Sequence, residues 1–177
     1  FNMSSATTPA VGDALRADPV LLEAIVSAVE SCLMMCDTQA RCVGVSTIPT
    51  REPGSITGII GVHGDVSGFV TVNMAEQVAL AAVGGLLQES FDRLTPQVID
   101  GAGEITNIVA GGIKKGLLGS RWAFSHVTVP SVIVGRNYEI AYAKGLHYLS
   151  VNFEHENTDS LLLGDRLLQV AVSLIRL

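Results

Sequence analysis

The chain has 177 residues, a formal net charge of -6, and 48% hydrophobic against 16% charged residues. That length favours one domain spanning 1–177, and the apolar content can build a core without disulfides or a metal. An acidic chain with no run of basic residues argues against a nucleic-acid or anionic-membrane surface, which needs a basic stripe.

Residues 1–12 are expected to be a flexible N-terminal segment. The first thirty residues include Asp13, Arg16, Asp18 and Glu23. They lack a charged n-region followed by an apolar h-region, so no secretory signal is expected and the expected location is cytoplasmic. The longest strongly apolar stretch, Val78 to Leu87, falls short of the roughly 20 residues that cross a bilayer.

Asp13 to Cys36 is predicted as a first helix, because Leu21, Leu22, Ile25, Val26, Val29, Leu33 and Cys36 recur at three- and four-residue spacing. Cys32, Cys36 and Cys42 are expected to be reduced, buried thiols. No histidine lies near them in sequence, which argues against a metal. Cys42 to Ile48 is predicted as a strand, and Pro49 to Ser55 as a loop. Ile56 to Val62 and Ser67 to Val72 are predicted to pair as a hairpin through His63-Gly64-Asp65. Asn73 is placed to cap the next helix, with Glu76 completing a capping box, and that helix is expected to run to about Gln88.

Thr95 followed by Pro96 is a strong helix start, and the helix is expected to continue to about Gly119. Val127 to Val134, Tyr138 to Ala143 and Leu146 to Phe153 are predicted as strands. Glu154 to Gly164 is predicted as a polar turn or short helix, and Leu168 to Ile175 as a closing strand. Strands joined mostly by hairpins and short connections imply an α+β fold, a mainly antiparallel sheet with helices packed on it. Val151, Phe153, Val170 and Val172 are taken as edge-strand candidates, which pairing of two copies would cover.

The helix after Thr95 carries the chemistry. At about 100° per residue, Asp100, Glu104, Asn107 and Gly111 fall on one stripe. Val98, Ile105, Val109, Ile113 and Gly116 fall on the opposite side. A polar stripe of this kind is what any surface helix shows. Two features argue for more. The helix holds Gly101, Gly103, Gly111, Gly112 and Gly116, each costing about 1 kcal/mol relative to alanine if interior. Gly112 and Gly116 are expected to serve close packing, and Gly111 the close approach of another molecule. Ile108 sits beside the stripe and is expected to be an exposed apolar contact for a partner.

The run Asp100-x-x-x-Glu104-x-x-Asn107-x-x-x-Gly111 resembles the signature of the CheC/CheX/FliY family of chemotaxis phosphatases: Asp or Ser, three residues, Glu, two, Asn, three, Gly. The hairpin Gly58 to Gly68, the helix start at Met74-Ala-Glu and the stretch Val129 to Gly135 are similar to the family as well. A possible second copy, Ser150-x-x-x-Glu154-x-x-Asn157, ends in Leu161 rather than glycine and is read as coincidence. One copy resembles the CheX branch.

The resemblance implies a CheC-like fold and a phosphatase acting on the aspartyl phosphate of a CheY-like receiver domain. Phosphoryl transfer through a loose transition state needs positioning more than a strong base. Asn107 can orient the attacking water, accepting with its carbonyl and donating with its amide. The resemblance implies that Glu104 pairs with the receiver's active-site lysine, a role ranked above that of general base. Asp100, Ile108 and Gly111 would border the partner. The receiver would supply the phospho-aspartate, the lysine and a bound Mg2+, so no cofactor is expected in this chain. A homodimer is also implied. The alternative is a non-catalytic receiver-binding or flagellar-switch adaptor, which would have no need of Asn107.

Overall fold

The computed structural model describes residues 17–49, 54–136, 138, 140–142, 145–156 and 160–177. The expected flexible segment 1–12 and the predicted helix start at Asp13 to Arg16 lie outside the described residues.

The first helix is α1 (Pro19–Met35), with Ala17 and Asp18 outside it. Asp18 decides the start. Its Oδ1 accepts from the backbone N–H of Val20 at 3.0 Å and of Leu21 at 3.4 Å, and Pro19 occupies the first helical position. Its Oδ2 accepts from the Trp122 indole N–H at 2.9 Å and from the Arg121 guanidinium. One carboxylate therefore caps α1 and ties it to the loop after the third helix. Burial alone would raise the Asp18 carboxyl. The hydrogen bonds from Arg121, Trp122, Leu21 and Val20 outweigh it and hold the pKa down to about 2.

The strands are β1 (Ala40–Ser46), β2 (Ile56–Gly64), β3 (Val66–Met74), β4 (Phe124–Val127), β5 (Ser131–Val134), β6 (His147–His155) and β7 (Leu167–Arg176). They form a seven-stranded sheet in the order β1-β6-β7-β3-β2-β4, with β5 also pairing β2. Every pairing is antiparallel. The register places Val70, Val172 and Leu149 side by side, and likewise Val72, Val170 and Val151. That aligned apolar face is fully buried, and α1, α2 (Glu76–Leu87) and α3 (Pro96–Gly116) pack on its side of the sheet. The expected architecture is thus observed: helices on a mainly antiparallel sheet.

Several local expectations are corrected. Val151, Phe153, Val170 and Val172 are not at an edge, because β6 and β7 are interior strands and all four residues are buried. One edge is β1, and there Cys42 is exposed rather than buried. Cys32 and Cys36 are buried as expected. Asn73 does not cap α2. It lies in β3, opposite Thr57 on one side and Gln169 on the other, and this double pairing carries the strand past the expected cap. Ala75 precedes α2 without a side-chain cap.

The face of the sheet away from the helices is polar yet buried, with Thr57, Thr71, Asn73, Ser150, Gln169 and Ser173 all inside. Asn73 Nδ2 donates to Thr57 Oγ1 at 2.7 Å, and Asn73 Oδ1 accepts from the Gly54 N–H at 2.6 Å. Thr57 Oγ1 also hydrogen-bonds the Tyr138 hydroxyl. Tyr142 packs its ring against Tyr148 with centroids 5.0 Å apart. Tyr138 to Ala143 was expected as a strand. Its described residues form none, and its tyrosines contact this polar layer instead. The predicted strand Val127 to Val134 is also divided, with β4 and β5 separated by Thr128-Val129-Pro130. Pro130 has no N–H to donate to a ladder. The predicted turn at Glu154 to Gly164 is partly outside the described residues. Its described end leads into a 3-10 helix, Leu163–Arg166, and Glu154 pairs with both Arg41 and Arg166.

The Asp18 network sets an acid-sensitivity. A carboxyl with a folded pKa near 2 and an unfolded value of about 3.9 gives stability that is complete above the unfolded value and lost as pH falls toward the folded one. Asp18→Asn is therefore expected to lower the unfolding midpoint in urea at pH 7. It is also expected to flatten the loss of stability between about pH 4 and pH 2. Parallel urea titrations of the two proteins across that range check it.

Candidate functional site

Thr95 caps α3, its hydroxyl accepting from the Val98 N–H at 3.3 Å, and Pro96 follows at the first position. The helix then runs for 21 residues, ending at Gly116 instead of Gly119. Its buried side includes Val98, Ala102, Ile105, Val109 and Ile113.

This burial turns the motif stripe outward: Asp100, Glu104, Asn107 and Gly111 are all exposed. Ile108 is the exception to expectation. It is half-buried and packed against the core, one turn before Gly112 on the flank where α3 meets α1.

The glycines divide by what a side chain would meet. A Cβ at Gly112 would fall 2.8 Å from Ala28 Cβ, and one at Gly116 3.0 Å from Ala24 Cβ, so α1 and α3 pack at close range there. Gly116 nonetheless stays exposed, although it was placed on the buried side. A Cβ at Gly101 would fall 2.5 Å from Val83 of α2. A Cβ at Gly111 would meet nothing within 4 Å. Packing among the described residues does not require that glycine.

Asp100, Glu104 and Asn107 line one wall of an open groove of about 640 Å3. Gly103 lies at its base, and the opposite wall is Val127, Thr128, Val129, Pro130 and Val132. Beyond the family likeness of Val129 to Gly135, no role for this second wall is legible in the sequence. Pro130 inside an apolar run was the available signal, since it marks a break that exposes its neighbours. Among the described residues no group of three or more His, Cys, Asp or Glu is placed to hold a metal ion. No helix among them is long and apolar enough to cross a membrane. Ser150 and Glu154 of the motif-like second run sit on β6, Ser150 buried and Glu154 in its arginine pairs, so they form no second stripe.

The site offers an amide that can orient a water and a carboxylate beside it. Asn107 is neither base nor nucleophile, Glu104 offers a carboxylate one turn away, and their shared exposure leaves both free for a second molecule.

The model of the chemotaxis phosphatase CheX family matches residues 56–154, a span that contains the whole stripe and both groove walls. Among solved structures, a CheC-like superfamily protein from a Shewanella species superposes with a TM-score of 0.73 at 20% identity, covering 90% of this chain and 99% of that one. The chemotaxis protein CheX from Vibrio vulnificus gives 0.72 at 22% identity, covering 88% and 99%. A chain of the CheX–CheY–BeF3–Mg2+ complex from Borrelia burgdorferi gives 0.68 at 23% identity, covering 90% and 99%. No curated protein is matched by this sequence.

The contrast between neighbouring glycines is directly testable. Gly111→Ala is expected to stabilise the protein by up to about 1 kcal/mol, the gain in helix propensity. Gly112→Ala is expected to destabilise it by about 1–3 kcal/mol through overpacking against α1. Urea midpoints of the two variants should therefore move in opposite directions.

Proposed function

The chain belongs to the chemotaxis phosphatase CheX family, and from that premise we propose that it hydrolyses the aspartyl phosphate of a CheY-like receiver domain. The observation that carries the reading is the joint exposure of Glu104 and Asn107 on a helix whose opposite side is locked into the core. The relative solved as a CheX–CheY–BeF3–Mg2+ complex points to the same class of partner.

In this mechanism the α3 stripe enters the receiver's active site. Asn107 holds a water by its amide, in line with the bond between phosphorus and the aspartyl oxygen. Water oxygen attacks phosphorus, that P–O bond breaks, and the products are inorganic phosphate and the free carboxylate. Glu104 pairs with the receiver's lysine and sets the register of helix against partner. Asp100 extends the acidic stripe by one turn, and Gly111 leaves the helix bare where the partner comes close. The receiver holds the Mg2+. The chain itself contributes two side chains and their placement.

Asn107→Ala is expected to lower the chain's acceleration of receiver dephosphorylation by roughly 100-fold or more. Its folding stability should change by no more than about 0.5 kcal/mol, as at other exposed sites. Full activity in that variant removes the water-orienting role. Glu104→Lys sets two cations against each other, and should weaken affinity for the phosphorylated receiver by about tenfold at low salt and less at high salt. Unchanged affinity removes the ion pair.

The proposed assembly is a homodimer. Among the described residues β1 pairs only with β6, and it carries Val43 and Val45, 45% and 44% exposed, the kind of edge that a second copy closes. The groove lies at the other end of the sheet, where β4 and β5 flank β2, so pairing through β1 leaves both grooves free. Light scattering on the purified chain should give a mass near twice 18.6 kDa; a mass at the monomer value refutes the dimer.

A further inference from the structure

The second groove wall is built as a rigid tip. Val127 of β4 pairs with Val62, and Ser131 of β5 pairs with Ile59, so both ends of the connection are held by β2. Between them the Thr128 N–H donates to the Gly61 carbonyl at 2.9 Å, and the Gly61 N–H donates to Thr128 Oγ1 at 2.9 Å. Thr128 Oγ1 in turn donates to the Val129 carbonyl at 3.1 Å. Pro130 restricts the other side of the tip through its own ring. Gly103 of α3 leaves room beside this wall, since a Cβ there would stand in ordinary contact, 3.5 Å from Val132 Cγ2 and 3.7 Å from Pro130 Cγ. Pairing and hydrogen bonding to β2, the strand on which α3 also packs, therefore set the position of the tip relative to Glu104 and Asn107.

At that fixed tip, Val129 is 87% exposed. It buries almost nothing within its own chain, so its apolar side chain adds little to folding. Held rigidly beside an acidic stripe, it offers a partner an apolar contact at small entropic cost. We propose that Val129 is a specificity-determining docking residue, gripping the receiver domain against the α3 stripe, with Thr128 as its positioning residue. This rests on the reading of Glu104 and Asn107 as receiver-facing. The groove then selects a partner surface of mixed chemistry: a cation facing Asp100 and Glu104, and beside it an uncharged apolar side chain facing Val127, Val129 and Pro130. A receiver with a carboxylate at the second position would be excluded by desolvation without a partner.

The test uses a CheY receiver from the same organism, both phosphorylated for turnover and loaded with BeF3 and Mg2+ for affinity. Val129→Asp is expected to raise KM, and the Kd of the BeF3-loaded receiver, by about tenfold, with kcat within about twofold of wild type. Val129→Ala and Thr128→Val should raise both by smaller factors. Thermal stability of the Val129 variants should be unchanged. Leu161→Asp, at a site 97% exposed and outside the groove, serves as the control for a charge placed on the surface. The proposal is overturned if Val129→Asp leaves KM and Kd at wild-type values, if Leu161→Asp raises them equally, or if the effect falls on kcat alone. Wild-type activity that survives Asn107→Ala defeats the catalytic reading separately, and the Kd series then still decides the role of Val129. A wild-type chain with no affinity for the loaded receiver overturns both.

Discussion

The close approach of α3 to its neighbours is the constraint on which the site depends. Gly112 brings α3 within side-chain-free contact of Ala28 on α1, and Gly101 does the same for Val83 on α2. On the sheet side the relation is inverted. Gly58 of β2 has no side chain, and Thr106 of α3 fills the space, 1.8 Å from where a Cβ would stand. Thr106 Oγ1 donates to the Ala102 carbonyl at 2.7 Å, which satisfies a hydroxyl that is otherwise wholly buried. A helix seated in three directions at such range has little freedom to rotate about its axis. The stripe of Asp100, Glu104 and Asn107 is aimed by that seating, and the propensity lost at each buried glycine, on the order of 1 kcal/mol, is offset by the packing it permits.

The same sheet serves two different interiors. Its helix-facing side is apolar and holds the core, while its other side is a buried polar layer in which Asn73 bridges Gly54 and Thr57. Buried polar groups destabilise unless paired, and Asn73 meets this with both its carbonyl and its amide. The consequence reaches the site. β2 runs through both interiors and supports β4, β5 and α3 at once, so the two groove walls share one foundation.

The parts legible in the sequence were those governed by local chemistry. Thr95-Pro96 marks the start of α3 because a cap and a preset φ need no tertiary partner, and the stripe is legible because helical periodicity is rigid. The β2–β3 hairpin is similarly local. The parts that were not legible depend on partners distant in sequence. Asn73 looks like a cap from its neighbours, yet pairing with Thr57 and Gln169 on either side retains it in the sheet. Val170 and Val151 look like edge residues until strand order puts them inside. Tyr138 and Tyr142 alternate as a strand would, and their contacts with Thr57 and Tyr148 are invisible without the fold. Ile108 falls near the boundary of the stripe, where a small change in seating decides between exposure and packing. The groove's second wall was missed for the same reason: Pro130 announces a break, but only the pairing of β4 and β5 with one strand brings that break opposite Glu104 and Asn107.

The chemistry proposed for this site asks little of the protein beyond aim. In that proposal an amide orients water, a carboxylate fixes register, and the phospho-aspartate, the lysine and the metal belong to the partner. The most direct measurement is phosphate release from a purified phospho-receiver with Mg2+, followed with and without a substoichiometric amount of this chain. The account predicts that release accelerates in proportion to the chain added and continues for many turnovers. Release at the receiver's own rate, whatever the amount of chain, would contradict it.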